Sequence, residues 1–123
     1  MTEKMELAKA KNEVQFHLEN LSHKDPVVKQ VALKQLAEIR DPNLAPIVQR
    51  RLGKIAALLK DPHPLTRSRA VDVLFLFGNY SVLDDLRKIV SNNDEGNDVR
   101  KRAELAIRRI GDSENRRFDR LFR

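Results

Sequence analysis

The sequence contains no cysteine and no tryptophan. Without cysteine there is no disulfide framework, no Cys-ligated zinc, no iron–sulfur cluster and no thiol chemistry. Aromatic residues make up only 5% of the chain, and β-branched runs are few, which argues against an all-β fold. No apolar run approaches the roughly 20 residues that span a bilayer. The opening Met1-Thr2-Glu3-Lys4-Met5-Glu6 has no apolar signal-peptide segment, so the expected location is the cytoplasm. Glycine is scarce too, at four residues. There is no glycine-rich phosphate loop and no Gly-Lys-Ser/Thr triplet.

What is present is charge and a helical period. Lys and Arg total 24 against 18 Asp and Glu, a net charge of +6 over 123 residues. A hydrophobic fraction of 41% with 34% charged residues suits one folded domain and neither a disordered chain nor a membrane protein. Leu7, Ala10, Val14, Leu18 and Leu21 recur every three or four residues, on one helix face. Asp25-Pro26 is an N-cap followed by proline at the first helical position, and Val28, Val31, Ala32, Leu36 and Ile39 follow, with Gln35 a polar lapse. Asp41-Pro42-Asn43 breaks that helix. A third apolar series runs from Leu44 to Leu59, with Gly53 marking a bend or a close contact. Asp61-Pro62-His63-Pro64 ends it. A fourth, with Ala70, Val71, Val73, Leu74 and Phe77, stops at Gly78-Asn79, a left-handed C-cap signal. Val82 to Val90 form a fifth. The polar loop 91–97 precedes a sixth, with Val99, Ala103, Ala106, Ile107 and Ile110, closed by Gly111.

Three of these helices align on one alanine. Around Ala32, Ala70 and Ala103 the chain repeats a basic residue three before (Lys29, Arg67, Arg100) and an aliphatic residue four after (Leu36, Leu74, Ile107). A large apolar residue follows seven after (Ile39, Phe77, Ile110), and a turn with aspartate precedes each copy, at Asp25, Asp61 and Asp94/Asp98. A helical hairpin cannot bury both its faces alone, so stacked hairpins form one core between two helix layers. The pattern resembles HEAT repeats over residues 22–111, in particular the short HEAT-like class first described in phycobilin lyases. It departs from that class at Thr66, where valine is usual, and at Lys29 and Arg40. The resemblance implies an all-α, right-handed α–α superhelix of about three helical hairpins. It also implies that each ladder cation pairs with a turn aspartate of its own or a neighbouring repeat. Residues 1–111 form the repeat domain, and 112–123 a basic amphipathic segment that caps the stack or docks a partner.

Catalytic chemistry has little support. His17, His23 and His63 lack helical zinc spacing, and the paired His-Glu motifs of iron-binding HEAT-repeat hydroxylases are missing. Asp84-Asp85 sits near a helix N-terminus, where acidic residues suit the helix dipole. Ser68 and Ser81 have no neighbouring histidine. No enzyme activity, metal or cofactor is expected. The expected function is a scaffold that binds a protein through the groove lined by the second helices. Its candidate contact residues are Arg69, Lys101, Arg102, Phe75, Arg109, Phe118 and Phe122. Arg69 and Arg102 are chosen because they precede the anchor alanines and need not serve the ladder. Phe75 lies in the apolar run Leu74-Phe75-Leu76-Phe77. The alternative partner is nucleic acid, since residues 96–123 carry nine basic against five acidic side chains. A weaker alternative, from the family resemblance, is a phycobilin lyase-like subunit. A weak homo-oligomer is also left open.

Overall fold

The computed structural model describes residues 2–121, apart from the side chains of 118 and 119. Seven α-helices and no strand occur among the described residues. Helix α1 spans Glu3–Asn20 and α2 Pro26–Ala37. Two short helices, α3 (Ala45–Gln49) and α4 (Leu52–Ala57), stand in place of one long one. Then come α5 (Pro64–Phe77), α6 (Leu83–Ser91) and α7 (Asn97–Leu121).

Local chemistry starts these helices. The Thr2 hydroxyl accepts from the Met5 N–H, and the Asp25 carboxylate accepts from the Val27 N–H at 2.9 Å. Pro26 and Pro64 occupy first-turn positions, where a missing N–H costs nothing. Asn79 accepts from the Ser81 N–H and hydroxyl, fixing the 3-10 turn that leads into α6.

The helices pack as three hairpins. α1 pairs with α2, α4 with α5 and α6 with α7. The hairpins stack because α2 packs on α5 and α5 on α7, while α1 rests on α3. One continuous core results, running from Val14 and Leu18 through Leu36, Ile55 and Leu74 to Leu86 and Ile110. Each such aliphatic side chain contributes about 1.5–3 kcal/mol by leaving water. The anchor alanines Ala32, Ala70 and Ala103 are all buried where the helices meet.

Several boundaries differ from those read in the sequence. The third apolar series breaks at Arg50–Arg51, where Arg51 leaves helical geometry at φ −117°, ψ 20°. Gly53 marks no close contact, since a Cβ there would meet nothing; the interruption lies two residues before it, and Gly53 itself is helical in α4. Gly78 ends α5 in extended geometry, φ −68°, ψ 156°, and is not left-handed. Its reason is crowding: a Cβ would meet the Leu74 carbonyl oxygen, Ile110 Cδ1 at 2.8 Å and Val82 Cγ2 at 3.1 Å. Gly111 does not close the sixth helix. α7 runs through it to Leu121, so no separate helix begins at Asp112 or Ser113. Val31, expected on the core face, is 48% exposed.

Candidate functional site

Two sets of polar contacts tie each hairpin to the next, and they run in opposite directions. In the first, the cation three before the anchor alanine reaches forward. Lys29 Nζ meets Asp61 Oδ2 at 3.1 Å. Arg67 grips Glu95 with two bonds, Nε to Oε2 at 2.7 Å and Nη2 to Oε1 at 3.1 Å, and also donates to the Asp61 carbonyl at 2.8 Å. The Asp61 and Glu95 side chains are only 4% and 3% exposed. The third cation, Arg100, has no following hairpin and donates to Asn97 in its own turn.

The acid in the third turn is Glu95, not Asp94 or Asp98, both of which are exposed. The aspartate pattern in the sequence concealed it. A glutamate side chain is one methylene longer, and Glu95 also accepts from the Gly96 N–H. The Arg67 bonds hold the Glu95 carboxyl below its ordinary range against the opposing effect of burial. Burial pushes Asp61 upward, but the His63 N–H and Lys29 outweigh it, and its carboxyl also ends below the ordinary value. Glu95 in turn raises the Arg67 guanidinium.

The second set reaches backward from the residue just before the anchor alanine. Arg69 Nη1 donates to the Gln30 carbonyl at 2.9 Å. Arg102 Nη1 donates to Asp72 Oδ2 at 2.8 Å and to the Ser68 hydroxyl at 3.2 Å. The expectation that Arg69 and Arg102 stand apart from the inter-repeat ladder is therefore corrected: both are rungs of it. Thr66 is explained the same way. It is fully buried, and its hydroxyl accepts from Gln30 Nε2 at 3.2 Å, a bond valine could not make.

The exposed large apolar side chains of the second helices are Val27 and Val31 on α2, Leu65 and Leu76 on α5, and Leu105 and Leu121 on α7. Between α5 and α7 lies a small cavity of about 210 Å³ lined by Asp72, Phe75, Arg102 and Leu105. Phe75 is half-buried and Leu105 52% exposed. Arg109 does not line the cavity but packs on Phe75: its guanidinium carbon sits 5.6 Å from the Phe75 ring centroid, within cation–π range. Arg109 Nη2 also donates to the Gly78 carbonyl at 3.2 Å, and its Nε is buried without a partner among the described residues. Burial lowers the Arg109 guanidinium from its ordinary value. Burial likewise pushes the Asp72 carboxyl up, with Arg102 opposing it.

The structure thus brings Phe75, Arg102 and Arg109 together and leaves Lys101 exposed on the same helix as Arg102. Arg69 lies on α5 against α2. Phe122 and the Phe118 side chain lie outside the described residues. Arg108, Arg116, Arg117 and Arg120 are exposed along α7. No group of three or more His, Asp or Glu side chains that could hold a metal occurs among the described residues. No helix there is long and apolar enough to cross a membrane.

Three stacked helical hairpins with a reciprocal ladder define a helical-repeat protein. The family model for HEAT repeats matches residues 53–121, more than half of the chain, and the chain belongs to that family. No curated protein and no solved structure gives a significant match. HEAT repeats are generally scaffold elements for protein interaction, and the family is typically non-catalytic.

Proposed function

We propose that this chain is a non-catalytic scaffold that holds a protein partner against the surface formed by α5 and α7. The observation that carries this reading is the cavity at Phe75 and Leu105. A half-buried aromatic floor and an exposed leucine lie between polar side chains already fixed by ladder contacts. Asp72 and Arg102 are already paired beside the half-buried Phe75, so less ordering entropy opposes an entering apolar side chain. Exposed Lys101, one helical turn before Leu105 on α7, favours a partner with a carboxylate beside its apolar anchor.

Leu105 and Lys101 are the side chains to test, because neither makes a ladder contact. The double variant Leu105→Glu, Lys101→Glu is expected to lose the partner captured by the wild-type chain, with unchanged melting temperature and circular dichroism. Full retention of affinity in the purified pair would move the binding surface elsewhere. A second reading, nucleic-acid binding along α7, draws on the exposed Arg108, Arg116, Arg117 and Arg120. It predicts a gel shift with mixed RNA and DNA that weakens steeply with salt.

A further inference from the structure

The two inner junctions of the stack share one register, counted from the anchor alanine of each hairpin. The residue just before an alanine reaches back to the residue two before the preceding alanine, Arg69 to Gln30 and Arg102 to Ser68. Arg102 also reaches Asp72, two after that alanine. The residue six after an alanine meets the one five after the preceding alanine, as Arg109 meets Phe75. One after the alanine, Leu33 and Val71 are fully buried where a hairpin follows, and Glu104 is exposed where none does. Three after it, Val73 and Ala106 are fully buried where a hairpin precedes, and Gln35 is exposed where none does.

Each end of the stack presents half of such a junction. At the third hairpin a hollow between α6 and α7 has Arg87, Glu104 and Arg108 around Val90 and Ile107. At the first, a groove between α1 and α2 has Glu13, Gln35 and Glu38 around Val14 and Ile39. Carried onto a second copy, the register sets these halves against each other. Five after the last alanine is Arg108 and six after the first is Glu38, both exposed and of opposite charge. Two after the last alanine is Leu105, 52% exposed, and one before the first is Val31, 48% exposed. Inside the stack that same place pairs Asp72 with Arg102; across copies it pairs two apolar side chains. Glu104 and Gln35, the polar departures from the buried series, stand on the two faces that would meet, where the amide donates to the carboxylate.

We infer that the chain associates head to tail, with the α6–α7 face of one copy seated on the α1–α2 face of the next. Pairing like ends is disfavoured, because Arg87 and Arg108 would meet their own copies, as would Glu13 and Glu38. A head-to-tail contact is heterologous, so it does not close after two copies and growth continues beyond the dimer. Glu104 and Gln35 replace the aliphatic contacts of the inner junctions, which makes the contact between copies weaker than those within the stack. Its exposed charges make it sensitive to salt. Leu105 also belongs to the surface of the proposed function, so the inference rests on that reading and gives the surface a second copy as occupant. Arg108 and Glu38 lie outside the Phe75 cavity and test the contact separately.

Sedimentation at low salt over about 10 µM to 1 mM covers the affinity range of weak contacts. The weight-average mass of the 14.2 kDa chain is expected to rise past that of a dimer and to fall back as salt is added. Arg108→Glu and Glu38→Arg alter exposed side chains on opposite ends, so each should keep the wild-type circular dichroism spectrum and lose association. An equal mixture of the two should regain it, because every contact in an alternating series then sets a glutamate against an arginine. A wild-type chain that stays monomeric overturns the inference and leaves the Leu105 surface for a different protein, which the Leu105→Glu, Lys101→Glu variant tests. A mass that levels off at the dimer overturns the head-to-tail direction. A mixture as monomeric as its components overturns the pairing of Arg108 with Glu38.

Discussion

At Gly78 the chain turns where three side-chain or backbone groups crowd the position a Cβ would take. Its dihedral angles are open to any residue, so the requirement is space, not backbone freedom. Gly78→Ala should therefore lose stability by about 1–3 kcal/mol, the usual cost of overpacking, read as a lower denaturation midpoint with an unchanged slope. The charged rungs carry a pH signature. Asp61 and Glu95 both have folded-state values below their ordinary ones. Their contribution is complete above the unfolded values of roughly 4, and it is lost as pH falls through the lowered folded values. Arg67→Ala leaves Glu95 buried without its cation and should cost about 3–5 kcal/mol. Without Arg67 the burial of Glu95 raises its carboxyl, so that variant should lose less stability than the wild type as pH falls, and the two melting temperatures should converge in an acid titration. Asp72 works in the opposite sense. Its raised value favours the protonated form in the folded state, so it offsets part of the loss.

At the scale of elements, caps and periodicity were legible and interruptions were not. Asp25-Pro26 was readable because a capping carboxylate followed by proline is local chemistry, and Asp61-Pro62-His63-Pro64 because paired prolines interrupt a helix. The anchor alanines were readable because the repeat places the same small residue wherever two helices meet. Gly111 misled for an instructive reason. Glycine lowers helix propensity by only about 1 kcal/mol, and α7 continues past it even though Asp112, Ser113 and Asn115 follow. The break at Arg50–Arg51 carries no proline or capping residue, and the nearest signal, Gly53, lies two positions past it inside α4. A Cβ at position 111 would meet nothing. Gly111→Ala is therefore expected to stabilise the protein by about 0.5–1 kcal/mol, with thermal melting as the check. A loss of stability there would mean that α7 does not run unbroken through this point.

At the scale of the whole molecule, the stack was legible in the sequence as three copies of one pattern. The candidate site was only half legible. Phe75, Lys101, Arg102 and Arg109 were picked out, but Leu105 was missed, because it falls outside the apolar series Val99, Ala103, Ala106, Ile107 and Ile110 and a single leucine off that face carries no signal. Glu95 was missed because the pattern asked for aspartate. Arg69 and Arg102 were misassigned, because a contact to a residue 30 or more positions away leaves no local trace.

The opposed directions of the rungs bear on how the molecule comes apart. The middle hairpin is held from both sides, by Lys29 and Gln30 in front and by Glu95 and Arg102 behind. Each outer hairpin is held from one side alone. In a chain of nearest-neighbour couplings, melting then begins at the ends and reaches the centre last. The first hairpin brings to its junction one ion pair, at Lys29, and two neutral-group contacts at Gln30, whose amide donates to Thr66 and whose carbonyl accepts from Arg69. The third brings the two-bonded Glu95 and the Arg102–Asp72 pair. The stack should therefore fray from its N-terminal side, like a zipper whose lower teeth are set closer than its upper ones.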